Sequence, residues 1–160
     1  MHLALFSEVT NAQAMMDLVK AHDFPGALID PRLVVGTLQL QVAAIKALDA
    51  DAKGSLASQT VHSELVYNLS PERKMSQAFS TFGMSPDATT VLVAMFDVGV
   101  AEFEAAAAGK VVGTRVPFVS GIGAVTDEAQ VKKKYKIRDV ELEVSSLEEA
   151  TVHRIATRDV

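Results

Sequence analysis

Four histidines, His2, His22, His62 and His153, are the side chains best suited to move a proton or hold a metal near neutral pH. They lack the short paired spacing of a zinc site, and the chain has no cysteine to complete one. That absence also removes disulfides and a thiol nucleophile, and fits a reducing compartment. Gly121-Ile-Gly123 is the closely spaced glycine pair ahead of a helical stretch. It has no third glycine and no following Lys-Ser or Lys-Thr, so it reads as a flexible turn, not a phosphate cradle. Asn68-Leu69-Ser70 matches the glycosylation tripeptide, but Ser70 ahead of Pro71 is better explained as a helix cap. The carboxylates are scattered, and no spacing forces two together for acid–base work. Nothing here demands an enzyme, a metal or a cofactor.

The positive charges are more concentrated. Lys132-Lys133-Lys134-Tyr135-Lys136 places one aromatic inside a basic run, as a phosphate or single-strand contact would need. A solvated helix face explains the same run. Arg73-Lys74 and Lys46 are sparser. The whole chain carries 15 Lys and Arg against 20 Asp and Glu, a formal charge of −5, so any contact with RNA must be local.

These residues must be carried by a single compact domain, residues 1–160. The length suits one core, no linker-like stretch divides it, and 49% hydrophobic with 22% charged residues is a globular balance. No stretch is long and apolar enough to span a membrane, and the start is too short for a signal peptide, so a soluble protein is expected.

The pattern along the chain alternates strands and helices. His2 to Phe6 reads as a strand, Ala12 to Ala21 as a helix after Ser7, Thr10 and Asn11, and Ala27 to Ile29 as a second strand before Asp30-Pro31 turns the chain. From Val34 to Ala52, Leu38, Val42, Ile45 and Leu48 recur at helical steps and predict the core stripe of a central helix capped at Gly54. Val61 to Tyr67 is rich in β-formers and predicts a strand, with Ser70-Pro71 opening a helix that sets Met75, Phe79 and Phe82 on one face. That helix is expected to stop at a left-handed Gly83, with Met84 packing back across the turn. Thr90 to Phe96 predicts a strand in the middle of the sheet, and residues 101 to 109 a helix ending at Gly109. Val111-Val112 and Val116 to Val119 read as strands, and Thr126-Asp127-Glu128 as the start of a helix carrying Val131 and Tyr135. Ser146 and Glu149 have capping-box spacing and open a last helix with Leu147, Thr151 and Ile155 on one stripe, Val152 and Ala156 beside it. The fold class expected is α/β (α+β), one central mixed sheet packed by several helices.

Thr60-Val-His-Ser-Glu-Leu-Val-Tyr-Asn-Leu-Ser-Pro71, followed by Met75-Ser-Gln-Ala-Phe79 and Phe82-Gly-Met-Ser85, resembles the central signature of the TPRKB family of PRPK-binding proteins. The likeness continues in order through Asp30-Pro31, Lys134-Tyr135-Lys136-Ile137 and the ending Arg154-Ile155-Ala156-Thr-Arg-Asp159-Val160. It implies a non-catalytic subunit of the EKC/KEOPS complex, which installs threonylcarbamoyl on tRNA. Such a subunit binds the atypical kinase PRPK, meets the other subunits through it, and in archaeal relatives grips the 3′ CCA end of tRNA. The location implied is cytoplasm and nucleus in a eukaryote, cytoplasm in an archaeon, with no membrane partner. The kinase contact is expected at Leu147, Thr151, Ile155 and Arg158 with help from Met75 and Phe79, and the RNA contact at Lys46, His62, Tyr67, Arg73 and Lys74. Gln59 stands where the family often has a basic residue, and Glu72-Arg73-Lys74 replaces a more Asn-like run. With the −5 charge, these motivate an alternative, a kinase-regulating adaptor without tRNA binding. A small-molecule enzyme is the third reading, and it would require a deep pocket with converging, pKa-shifted groups.

Overall fold

His2–Ser7 (β1) and Val91–Met95 (β3) bury apolar residues on both faces, and strands of that kind need cover on two sides. In the computed structural model, which describes residues 1–159, they receive it; Val160, the last residue of the C-terminal motif, lies outside the described residues. The sheet is completed by Ala27–Ile29 (β2) and Thr114–Val116 (β4), in the order β2-β3-β1-β4. Every pairing is antiparallel, which corrects the mixed sheet expected from the alternating pattern. Alternation along β1 and β3 splits the core. Leu5, Leu92 and Ala94 face one cluster, while Ala4, Phe6, Val91, Val93 and Met95 face the other.

The thinner side is closed by Ala12–Lys20 (α1) and Val100–Lys110 (α5), which contribute Ala12, Met15, Phe103 and Ala107. The thicker side holds Thr37–Ala52 (α2), Val61–Leu69 (α3), Met75–Phe82 (α4), Phe118–Val125 (α6), Glu128–Tyr135 (α7) and Leu147–Thr157 (α8). Short 3-10 turns occur at Pro31–Leu33 and Asp139–Glu143. Among the described residues no helix is long and apolar enough to cross a membrane.

Local chemistry explains where the pattern misled. Val61–Leu69 is helical, not a strand, because Thr60 and Ser63 cap it reciprocally and Glu64 to Leu69 are buried all round, a setting that overrides β-propensity. Ser70 therefore ends a helix instead of opening one; its hydroxyl accepts from the Glu72 amide, and the next helix starts only at Met75. Gly83 stops α4 with φ −75°, not left-handed, and its missing Cβ leaves room for the Phe79 carbonyl. Met84 is buried in the α1/α5-side cluster instead of back on its own helix. The strands expected at Val111-Val112 and Val116 to Val119 reduce to Thr114–Val116, because Phe118 already begins α6. Gly121 and Gly123 lie inside that helix, and a Cβ on Gly121 would strike the Val116 side chain, so the residue serves close helix–strand packing.

The largest correction concerns α2. Its core face is Gln39, Leu40, Ala43, Ala44 and Ala47. Leu38, Ile45 and Leu48, read as core, are 44%, 65% and 40% exposed, and only Val42 of that stripe packs inward. The small alanines allow α2 to lie close against α3.

Candidate functional site

The last helix is assembled as its sequence dictates. Ser146 and Glu149 form the capping box, and Thr151 returns its hydroxyl to the Leu147 carbonyl. Thr151 and Ile155 are both 0% exposed, so these side chains anchor α8 to its own core and offer nothing to a partner. Leu147 is half-buried against the same core, as is Phe79; Met75 is partly exposed on α4.

Arg158 is also turned inward. Its side chain is 4% exposed and meets the carboxyl end of α3: Nη1 donates to the Tyr67 and Ser70 carbonyls at 2.8 and 3.2 Å, and Nη2 to Asn68 Oδ1 at 2.8 Å. The guanidinium lies 4.3 Å from the Tyr67 ring centre. A helix carboxyl end presents unpaired carbonyls and partial negative charge, so the cation is well matched there. Asn68 is buried, and its Oδ1 is taken by this contact.

Three of the five residues expected to touch RNA, Lys46, Tyr67 and Arg73, make contacts at this junction. Lys46 Nζ donates to the Ile155 carbonyl at 2.9 Å and pairs with Asp159 Oδ2 at 2.7 Å. Burial opposes the charge of Asp159, but hydrogen bonds from Arg158 and Lys46 outweigh it and hold the carboxyl below its usual range. Arg73 donates through Nε and Nη2 to the Arg158 carbonyl, and its own carbonyl accepts from the Tyr67 hydroxyl. Tyr67 is buried, with no open face for a base to stack on. Lys74, exposed, precedes α4. The Lys132–Lys136 run likewise lacks its aromatic: Tyr135 is buried, donates to the Leu69 carbonyl and accepts from Gln39, while Lys132 and Lys136 pair with Asp139 and Glu72.

His62 stands apart, in a groove of about 610 Å³ between α1, β2, α3 and α4. Its Nε2 accepts from the Phe96 amide at 3.1 Å, and its ring tilts against the Phe96 ring at 5.4 Å. Burial lowers the imidazole pKa, against a smaller opposing pull from Asp97. Among the described residues no three His, Asp or Glu side chains converge as a metal site would require.

Two features escaped the sequence reading. The exposed stripe of α2, Leu38, Ile45 and Leu48, borders α8, to which α2 is tied by Lys46 and by Glu148, whose Oε1 accepts from the Leu38 amide at 2.8 Å. The available signal was the competing Leu40-Ala43-Ala44-Ala47 stripe, whose small residues suit a close helix contact. The groove has no sequence signal, since it draws on four separate elements.

A profile of the family described as "Kinase binding protein CGI-121" matches residues 6–159. The chain is 33% identical to the zebrafish (Danio rerio) EKC/KEOPS complex subunit TPRKB over 98% of its length and 89% of that protein. It is 30% identical to the Aspergillus fumigatus EKC/KEOPS complex subunit cgi121 over 85% of its length and 76% of the relative. The fission yeast (Schizosaccharomyces pombe) subunit of the same name is 27% identical, over 89% of the chain and 84% of that protein.

Proposed function

Because the chain belongs to the kinase binding protein CGI-121 family, we propose that it is a non-catalytic subunit of an EKC/KEOPS complex, docking on a small atypical kinase of the PRPK type. The observation that carries the reading is the apolar stripe of Leu38, Ile45 and Leu48 on α2, exposed beside a fixed α8. Large apolar side chains at helical spacing on an otherwise acidic surface suit the dry centre of a protein interface. The contact thus moves from the buried stripe of α8 to the neighbouring face of α2. Co-expression with the cognate kinase tests it: wild type co-purifies, while Ile45→Asp and Leu48→Asp release the kinase without lowering the melting temperature. Undiminished co-purification of both variants overturns the placement, and failure of wild type overturns the function.

Such a subunit would serve threonylcarbamoyl modification of tRNA, with the transfer chemistry in another subunit. A direct grip on the tRNA 3′ CCA end is the second reading, favoured by the surface position of Arg73 and Lys74. With Tyr67 covered, that grip is mainly electrostatic, and two cations on a single strand give a log–log salt slope of about −1.4. Binding of mature tRNA is compared with tRNA trimmed of CCA. Equal, salt-insensitive binding rejects end recognition and favours the adaptor without tRNA binding.

A further inference from the structure

The groove at His62 shares no residue with the α2 stripe proposed for kinase docking. Its volume of about 610 Å³ is that of a small-ligand site. Its walls are mainly apolar, with Val19, Leu28, Val66 and Met84 flanking the rings of Phe24 and Phe79, so the shape and chemistry favour a flat, apolar body.

Gln59, Thr60 and Ser63 also line the groove, the last two hydrogen-bonded to each other in the cap of α3, while His62, Lys20 and His22 are its ionisable groups. Because His62 Nε2 accepts from the Phe96 amide, the neutral ring carries its proton on Nδ1. Among the described residues that N–H has no hydrogen-bond partner. No fully covered side-chain nitrogen or oxygen lacks a hydrogen bond among the described residues, so Nδ1 reaches open space, and the space His62 lines is the groove. Burial keeps the imidazole neutral and hence a single donor. At the rim stand Lys20 and His22; the Lys20 ammonium has only a loose 3.8 Å approach to Asp17. On a chain of net charge −5, this groove has no Asp or Glu in its lining.

The geometry points to a binding site for a small planar organic anion, an aromatic carboxylate in class. Its ring fills the groove, an acceptor meets His62 Nδ1–H, and its charge lies at the Lys20 rim. The contact is reversible binding, with no covalent step.

Indole-3-carboxylate is the probe, with indole-3-carboxamide as its neutral twin and the trinucleotide CCA as a third arm, each titrated into the ¹⁵N-labelled full chain. The carboxylate saturates shifts of the Val19, Leu28, Val66 and Met84 amides with a dissociation constant of about 0.1–1 mM. It binds roughly three- to tenfold tighter than the carboxamide. Lys20→Glu, on an exposed rim where folding is not at risk, erases that preference; His62→Phe weakens both ligands. Absence of saturable shifts, a preference that survives Lys20→Glu, or shifts of these amides by CCA but not by the carboxylate would each overturn the proposal. None of these outcomes bears on kinase docking.

Discussion

The guanidinium of Arg158 lies 4.3 Å from the centre of the Tyr67 ring and donates at 2.8 Å to the carbonyl of the same residue. One side chain thus closes the carboxyl end of α3 and fastens the end of α8 to it. Arg158→Ala leaves the Tyr67 and Ser70 carbonyls and Asn68 Oδ1 without this donor in a covered site. A loss of about 2–4 kcal/mol is expected in urea denaturation. Arg158→Lys recovers little, because an ammonium cannot reproduce the planar fork and the stack on Tyr67.

Tyr135 gives a second deep contact, and one with a pH signature. Its hydroxyl donates to Leu69 and accepts from Gln39, and burial raises its pKa well above the ordinary value, against a smaller opposing effect of Gln39. The native state holds this proton where the unfolded chain would release it, so the contribution is complete below about pH 10 and lost as pH rises beyond. Ultraviolet titration is expected to show Tyr135 ionising only with global unfolding. Tyr135→Phe, which strands Leu69 and Gln39, costs about 1–3 kcal/mol and removes this part of the alkaline slope.

Signals carried within one turn of chain were legible: Ser146 with Glu149, Asp127 ahead of α7, and the unbroken apolar run of β3 all appear where their residues place them. What depends on tertiary partners was not. Val61 to Leu69 carries β-branched residues yet is helical, because its cap and complete burial outweigh propensity. Leu38, Ile45 and Leu48 have the spacing of a core stripe, and periodicity alone cannot distinguish a face turned to the interior from one turned to solvent. Arg158, expected at the kinase contact, is turned inward by acceptors that lie some ninety positions away in sequence.

Gly36 and Glu148 form a smaller test of the α2–α8 junction. Glu148 Oε1 accepts from the Leu38 amide in the first turn of α2, and a Cβ at position 36 would collide with that carboxylate. Gly36→Ala displaces the cap and is expected to cost about 1 kcal/mol, as loss of an N-terminal cap does. Glu148→Ala costs a similar amount. The double variant costs clearly less than the sum, because both substitutions remove the same interaction.

His62 predicts behaviour on the acid side. Its folded pKa is lowered by burial, with Asp97 opposing, so below about pH 6.5 the unfolded chain takes up a proton that the native ring resists. Stability from this group is present above that pH and lost as pH falls through it. His62→Gln, which keeps an acceptor for the Phe96 amide, is expected to flatten the stability profile below about pH 6.5 in denaturant midpoints. An unchanged profile would place the acid sensitivity elsewhere.

Ile45 and Ile155 separate docking from folding. Ile45 is 65% exposed on α2, and Ile155 is 0% exposed under α8. Ile45→Asp adds a charge to water-facing surface, so its unfolding free energy is expected to stay within about 0.5 kcal/mol of wild type. In the kinase complex that carboxylate would be desolvated without a partner, weakening association by about 2 kcal/mol or more, roughly thirtyfold. Ile155→Asp buries the same charge in the core, and the chain is expected to lose its cooperative melt. Calorimetry of both variants, followed by titration of the folded one against the kinase, distinguishes an interface face from a structural one. If Ile45→Asp melts early, the exposed stripe of α2 is part of the fold; if it melts normally and binds the kinase undiminished, the docking face lies elsewhere.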